Sequence, residues 1–151
     1  MNAHQHPSYH EATIFIVDDD DIDAMTLTRS LKKMKILNPV CRARDGQEAL
    51  ELLTSGRIAA PFIILLDLNM PRMGGIEFLK AIRADPDLTG TVVFMLTTSK
   101  SDEDISAAYR DHVAGYIYKQ EIDGSFMDVV RLIEHYWKIV ELPYDGRVIS
   151  K

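Results

Sequence analysis

Five short apolar runs, separated by segments of helical period, govern what this chain can fold into. Ile14-Phe15-Ile16-Val17 is β-branched and aromatic, and it stops at four consecutive aspartates, Asp18 to Asp21. Val40 to Ala43 follows the Asn38-Pro39 break. Phe62 to Leu66 is continuously apolar, as in a strand covered on both faces, and it stops at Asp67. Thr91 to Leu96 and Tyr116-Ile117-Tyr118 complete the set, ending at Thr97 and Lys119.

The segments between them have helical spacing. Ala24, Leu27, Leu31 and Met34 are spaced 3, 4 and 3. Gln47–Thr54 carries Ala49, Leu50, Leu52 and Leu53 and ends at Ser55-Gly56. Gly74-Gly75 opens a helix with Ile76, Leu79 and Ile82 on one side, closed by Asp85-Pro86. A weaker pattern surrounds Ile105, Ala108 and Tyr109, and the last helix repeats Phe126, Val129, Val130, Ile133, Trp137 and Val140 until Pro143. Strands alternating with helices imply parallel pairing through right-handed crossovers. The expected fold is α/β: a doubly wound five-stranded parallel sheet in the order 2-1-3-4-5, flavodoxin-like. Its ligand crevice opens between strands 1 and 3 at their carboxyl ends.

Composition narrows the classes. A length of 151 residues suits one domain, and the net charge of −6 argues against a chain built to coat nucleic-acid phosphates. Cys41 stands alone, so no internal disulfide framework is expected and a cytoplasmic setting is. The longest apolar stretch, Ala59 to Leu66, is far short of the ~20 residues a membrane span needs, and the first residues lack the basic start and apolar core of a secretory signal. Residues 1–12 read as a loose tail whose His4, His6 and His10 have no fixed geometry for a metal.

If the strand order holds, Asp18, Asp19 and Asp67 meet at the switch point. Carboxylates a few ångströms apart repel and raise one another's pKa unless a cation joins them. Mg²⁺ is the hard cation that takes one or two carboxylates and leaves positions for phosphate oxygens. Thr97 and Lys119 end at the same edge, where a hydroxyl donor and an ammonium suit an incoming phosphoryl group. A carboxylate acceptor would then form an aspartyl-phosphate mixed anhydride. Taken singly, each residue has a plainer reading. Asp20 or Asp21 caps a helix, Asp67 caps a loop, Thr97 ends a strand, Lys119 is a surface charge and Tyr116 is core. Their convergence on one sheet edge is what favours the chemical reading.

Ile14-Phe15-Ile16-Val17-Asp18-Asp19-Asp20, Leu65-Leu66-Asp67-Leu68-Asn69-Met70-Pro71-Arg72-Met73-Gly74-Gly75, Met95-Leu96-Thr97-Thr98-Ser99 and Gly115-Tyr116-Ile117-Tyr118-Lys119 resemble, in order, the receiver domains of two-component response regulators. The likeness runs from about Thr13 to Leu142, giving a receiver over 13–142 and a C-terminal extension over 143–151. It implies that Asp67 is the phosphoacceptor. It assigns Mg²⁺ to Asp18, Asp19, Asp67 and the backbone carbonyl of Asn69. Thr97 corresponds to the switch hydroxyl, Lys119 to the cation contacting the phosphoryl group, and Tyr116 to the aromatic residue whose rotamer follows activation. Asn69 and Ser99 hold the positions that tune loss of the phosphoryl group to water. Such a protein accepts a phosphoryl group from a histidine kinase and signals by protein contact; apart from self-dephosphorylation it is not an enzyme.

Three positions depart from the family pattern: Gln120 follows the Lys where Pro is usual, His112-Val113 replaces Gly-Ala, and Thr98 is bulkier than Ala. The conformation of the Lys119-Gln120 loop is left open. Glu134-His135-Tyr136-Trp137-Lys138-Ile139-Val140-Glu141-Leu142-Pro143, with Leu96 to Ser99 and the absent Pro, is similar to stand-alone regulators that partner bacterial phytochrome histidine kinases. Tyr136 and Ile139 widen the apolar stripe of the last helix. With Arg147-Val148-Ile149 in the tail, they suggest a homodimer through that helix and Tyr144–Lys151.

Other classes fit less well. A dehalogenase-type aspartyl phosphatase wants an Asp two places after the nucleophile, where Asn69 stands. A flavin or nucleotide carrier needs a Ser/Thr/Gly-rich loop after strand 1, and four aspartates would repel its phosphate. A receiver-like interaction module that is never phosphorylated would not need the complete set of pocket residues.

Overall fold

The computed structural model describes residues 12–121, 124–139 and 142. The elements are β1 (Thr13–Val17), α1 (Asp21–Lys33), β2 (Val40–Ala43), α2 (Gly46–Thr54), β3 (Phe62–Leu66), α3 (Gly75–Ala84), β4 (Val92–Thr97), α4 (Asp102–Arg110) and β5 (Gly115–Tyr118). A 3-10 turn over Lys119–Glu121 and α5 (Met127–Ile139) complete them. Every strand pairing is parallel and the order is β2-β1-β3-β4-β5, the expected doubly wound sheet. Among the described residues no helix is long and apolar enough to cross a membrane.

β1 and β3 are buried along their whole length because helices cover both faces of the sheet. Successive side chains point to opposite faces. Ile14, Ile16, Ile63 and Leu65 enter the layer that holds Leu27 and Leu31 of α1 and Val130, Ile133 and Trp137 of α5. Phe15, Val17, Ile64 and Leu66 enter the other layer, against Phe78, Leu79 and Ile82 of α3. Each such side chain stabilises the fold by about 1.5–3 kcal/mol through burial.

Helix starts follow local chemistry. Asp20 accepts the Ile22 and Asp23 amides, Asp45 the Glu48 amide and Ser101 the Asp104 amide. α3 has no side-chain cap; its Gly75 lies so close to β3 that an added Cβ would stand 2.3 Å from the Asp67 carbonyl oxygen. Only glycine permits that approach. The Gly75 amide donates to the Leu68 carbonyl at 2.7 Å, which pins the loop after β3.

Several local expectations change. Tyr136 does not widen a free face, since its ring meets Phe94 edge-on at 5.2 Å and 85°. Among the described residues of α5, Leu132 is the exposed large apolar side chain. Cys41 is partly buried rather than fully so, and packs against the α3 layer. His112 adopts φ 64, the left-handed region that favours glycine. Its carbonyl is held by Arg83, whose guanidinium also donates to the carbonyls of Thr89, Thr91 and Asp111. The side chain of Ile139, residues 1–11 of the N-terminal tail and the 143–151 extension lie outside the described residues.

Candidate functional site

The register of β1 against β3 makes the site. Val17 pairs with Leu66, so Asp18 and Asp67 are the next residues on adjacent strands. Both are buried, whereas Asp19 is exposed at the rim. One carboxylate oxygen from each of Asp18, Asp19 and Asp67 lies within 4.8 Å of the other two. An octahedral Mg²⁺ holds its oxygens about 3 Å apart when adjacent and about 4 Å apart when opposite. The all-oxygen donor set suits such an ion, and the three oxygens lie near enough for one ion to join them.

β4 and β5 bring two more groups to the same edge. Thr97 is fully buried opposite Tyr118, and its hydroxyl favours the ionised form of Asp67 by hydrogen bonding. Lys119, just past β5, places Nζ 2.9 Å from Asp18 Oδ2, 2.8 Å from Asp23 Oδ2 and 3.9 Å from Asp67 Oδ2. Burial alone would lower the ammonium's pKa, but the bonds to Asp23 and Asp18 outweigh it and raise it above the usual lysine value. Burial pushes the Asp67 carboxyl up to about 6, with Lys119 opposing and Asp18 adding. Asp18 is also raised by burial, against the Asp20 amide and Lys119. Two buried carboxylates of raised proton affinity, Asp18 and Asp67, with Asp19 at the rim, offer oxygen ligands to a divalent ion.

The remaining residues form the rim. Ser99 donates its hydroxyl to Asp104 Oδ2 at 2.6 Å, and its carbonyl accepts the Tyr116 hydroxyl at 3.0 Å. Tyr116 thereby latches the loop after β4, and its burial raises the phenol's pKa. Asn69 is exposed in the loop after Asp67. The Lys119–Gln120 peptide is trans within the 3-10 turn, and the Gln120 side chain donates Nε2 to the Thr98 carbonyl at 3.4 Å. Thr98 itself is exposed.

Three supporting contacts have no clear sign in the sequence. Asp23 sits in the first turn of α1, where an acidic residue ordinarily reads as a helix-dipole partner. Arg42 of β2 donates Nε and Nη2 to the Asp18 carbonyl at 3.1 and 2.7 Å and Nη1 to Asp21 at 2.6 Å. Arg72, at φ 64, spans both carboxylate oxygens of Asp45 at 2.9 and 3.2 Å and ties the loop after β3 to the start of α2.

Residues 14–131 match the family model described as a response regulator receiver domain. This chain belongs to that family. It is 35% identical over 130 residues to the probable methanogenesis regulatory protein FilR2 of Methanothrix harundinacea, covering 82% of each chain. It is 34% identical over 135 residues to the response regulator Rcp1 of Synechocystis sp., covering 86% of this chain and 92% of Rcp1. The crystal structure of the phosphorylated cyanobacterial phytochrome response regulator RcpA superposes with a TM-score of 0.79 at 33% identity, over 88% of this receiver and 99% of RcpA. The Mn²⁺-bound form of Rcp1 gives 0.77 at 34% identity, over 87% and 99%. Receiver domains are phosphoacceptor signalling modules of two-component systems rather than enzymes.

Proposed function

We propose that this receiver accepts a phosphoryl group from a histidine kinase on Asp67 and signals by protein contact. The observation that carries the reading is the convergence of Asp18, Asp19 and Asp67, with Lys119 beside them, at the carboxyl edge of the sheet. In the transfer, an Asp67 carboxylate oxygen attacks the phosphorus of a phosphohistidine. The P–O bond forms as the P–N bond breaks, and the imidazole leaves with the electron pair and takes a proton from water. Asp18, Asp19, Asp67 and the Asn69 carbonyl would hold Mg²⁺, which supplies charge neutralisation to the phosphoryl group in flight. Thr97 donates its hydroxyl to a phosphoryl oxygen and Lys119 offsets the charge on another.

Movement of Thr97 toward the phosphoryl group would pull on Ser99, whose amide reaches the Thr97 hydroxyl at 3.4 Å. Ser99 in turn bears the Tyr116 latch, so Tyr116 would report the change at the surface. Asn69 and Ser99 would set how fast water removes the group.

The likeness to RcpA supports a phytochrome histidine kinase as donor. Exposed Leu132 on α5 supports a homodimer through that helix, with Tyr144–Lys151 as the second element of the contact. Sedimentation should show a dimer at high micromolar concentration, and a monomer there would refute it. The test of the main reading is phosphotransfer profiling against purified autophosphorylated kinases, a phytochrome kinase first. Label should pass to the wild type and not to Asp67→Asn. Transfer that survives in Asp67→Asn would contradict it.

A further inference from the structure

Lys119 is committed on two sides, and one of its partners lies outside the metal cluster. An ammonium has three N–H donors. Two of them face Asp18 and Asp23 at 2.9 and 2.8 Å, while Asp67 stands at 3.9 Å, beyond hydrogen-bond distance. Asp23 is not one of the clustered Asp18, Asp19 and Asp67 ligands. It projects from the first turn of α1 and holds the ammonium at 2.8 Å. The Lys119 side chain is 10% exposed and that of Asp23 is 26% exposed, so water screens this pair far less than a surface ion pair.

We infer that Asp23 is a positioning residue that competes with the phosphoryl group for Lys119. The inference rests on the reading of Asp67 as phosphoacceptor. In the resting state Asp23 keeps the ammonium charged, ordered and short of Asp67. The third donor is left for a phosphoryl group, but the ammonium stands 3.9 Å from Asp67, and closing on the phosphoryl oxygens stretches the charge-assisted bonds it already makes. Asp18 cannot be the partner released without loosening the metal cluster, so Asp23 is the one exchanged. Asp23 therefore lowers the affinity of the pocket for a phosphoryl group and shortens the life of the phosphorylated state. As a plain helix-dipole partner it would do neither, and Asp21 already fills that role in the same turn.

The full chain is titrated with beryllium fluoride at saturating Mg²⁺, comparing wild type, Asp23→Asn and Asp23→Ala. The two variants separate loss of charge from loss of any hydrogen bond to Lys119. Affinity should rise about fivefold in Asp23→Asn and at least as much in Asp23→Ala, the scale of one partly shielded charge-assisted bond. The rise should persist at about 0.5 M salt, because a contact within 3 Å is little screened whereas a through-space effect is lost. Affinities within twofold of wild type, or a gain that vanishes in salt, would overturn the role of Asp23. Wild type that takes no beryllium fluoride would overturn the phosphoacceptor reading and this inference with it. Tight binding by wild type with unchanged variants removes only the role of Asp23.

Discussion

The Asp67 amide donates to the Val17 carbonyl at 2.9 Å, continuing the β1–β3 ladder one step beyond the apolar runs. That bond seats Asp67 beside Asp18, in a place too buried to be comfortable for two carboxylates. The energetic consequences are measurable without any kinase.

The Asp67 carboxyl is pushed up to about 6, above its ordinary 3.8, chiefly by burial. Its folded-state pKa exceeds its unfolded one, so its favourable contribution is complete below about pH 4 and is lost as pH rises through about 6. Asp67→Asn lacks that dependence. Metal-free Asp67→Asn should be more stable than wild type by about 2 kcal/mol at pH 8, with the gap closing toward pH 4, as read from urea midpoints. Saturating Mg²⁺ should raise the wild-type midpoint at pH 8 and leave the variant nearly unmoved.

Arg42 grips the main chain of the residue that heads the acidic loop. Arg42→Met keeps much of the apolar stem and removes the fork. The variant should bind Mg²⁺ about tenfold more weakly by calorimetric titration, because the backbone that carries the Asp18 ligand is no longer held, at a stability cost of about 1 kcal/mol. An unchanged metal affinity would show that the loop holds its shape without the clamp.

Asp45 combines an N-cap with the Arg72 fork, and the fork outweighs burial to hold its carboxyl below the usual range. Asp45→Ala should cost about 1–2 kcal/mol in urea denaturation. Arg72→Ala should cost less, since the cap survives.

His112 carries a backbone conformation that suits glycine. Exchanging it relieves that strain but adds unfolded-chain entropy, so His112→Gly should stabilise the protein by a net of about 0.5–1 kcal/mol in thermal or urea melts. Destabilisation would mean that the His112 side chain contributes more than its strain costs.

Strand order and the meeting of Asp18, Asp19 and Asp67 were legible because each depends on local pattern plus a chirality rule. Short apolar runs ending in acids, joined by helical segments, leave few sheet orders open. Partners that meet only through packing were not legible. Asp23 and Lys119 lie far apart in the chain and meet because the segments after β1 and β5 end at the same edge of the sheet. Arg42 reads as an ordinary charge on an edge strand. Tyr136 looked like part of a free stripe because helical spacing says which side of α5 it occupies, not that Phe94 reaches out to meet it edge-on. The left-handed backbone of His112 sits in a loop whose carbonyls, with those of Thr89 and Thr91, are gathered by Arg83, which no local motif announces.

The central claim is that Asp67 is the phosphoacceptor. Intact-mass spectrometry after incubation with Mg²⁺ and a small phosphodonor tests it most directly. Wild type should gain the mass of one phosphoryl group, lose it in alkali as an acyl phosphate does, and gain nothing when Mg²⁺ is chelated; Asp67→Asn should stay unmodified. An unmodified wild type, or an equal gain by Asp67→Asn, would contradict the account.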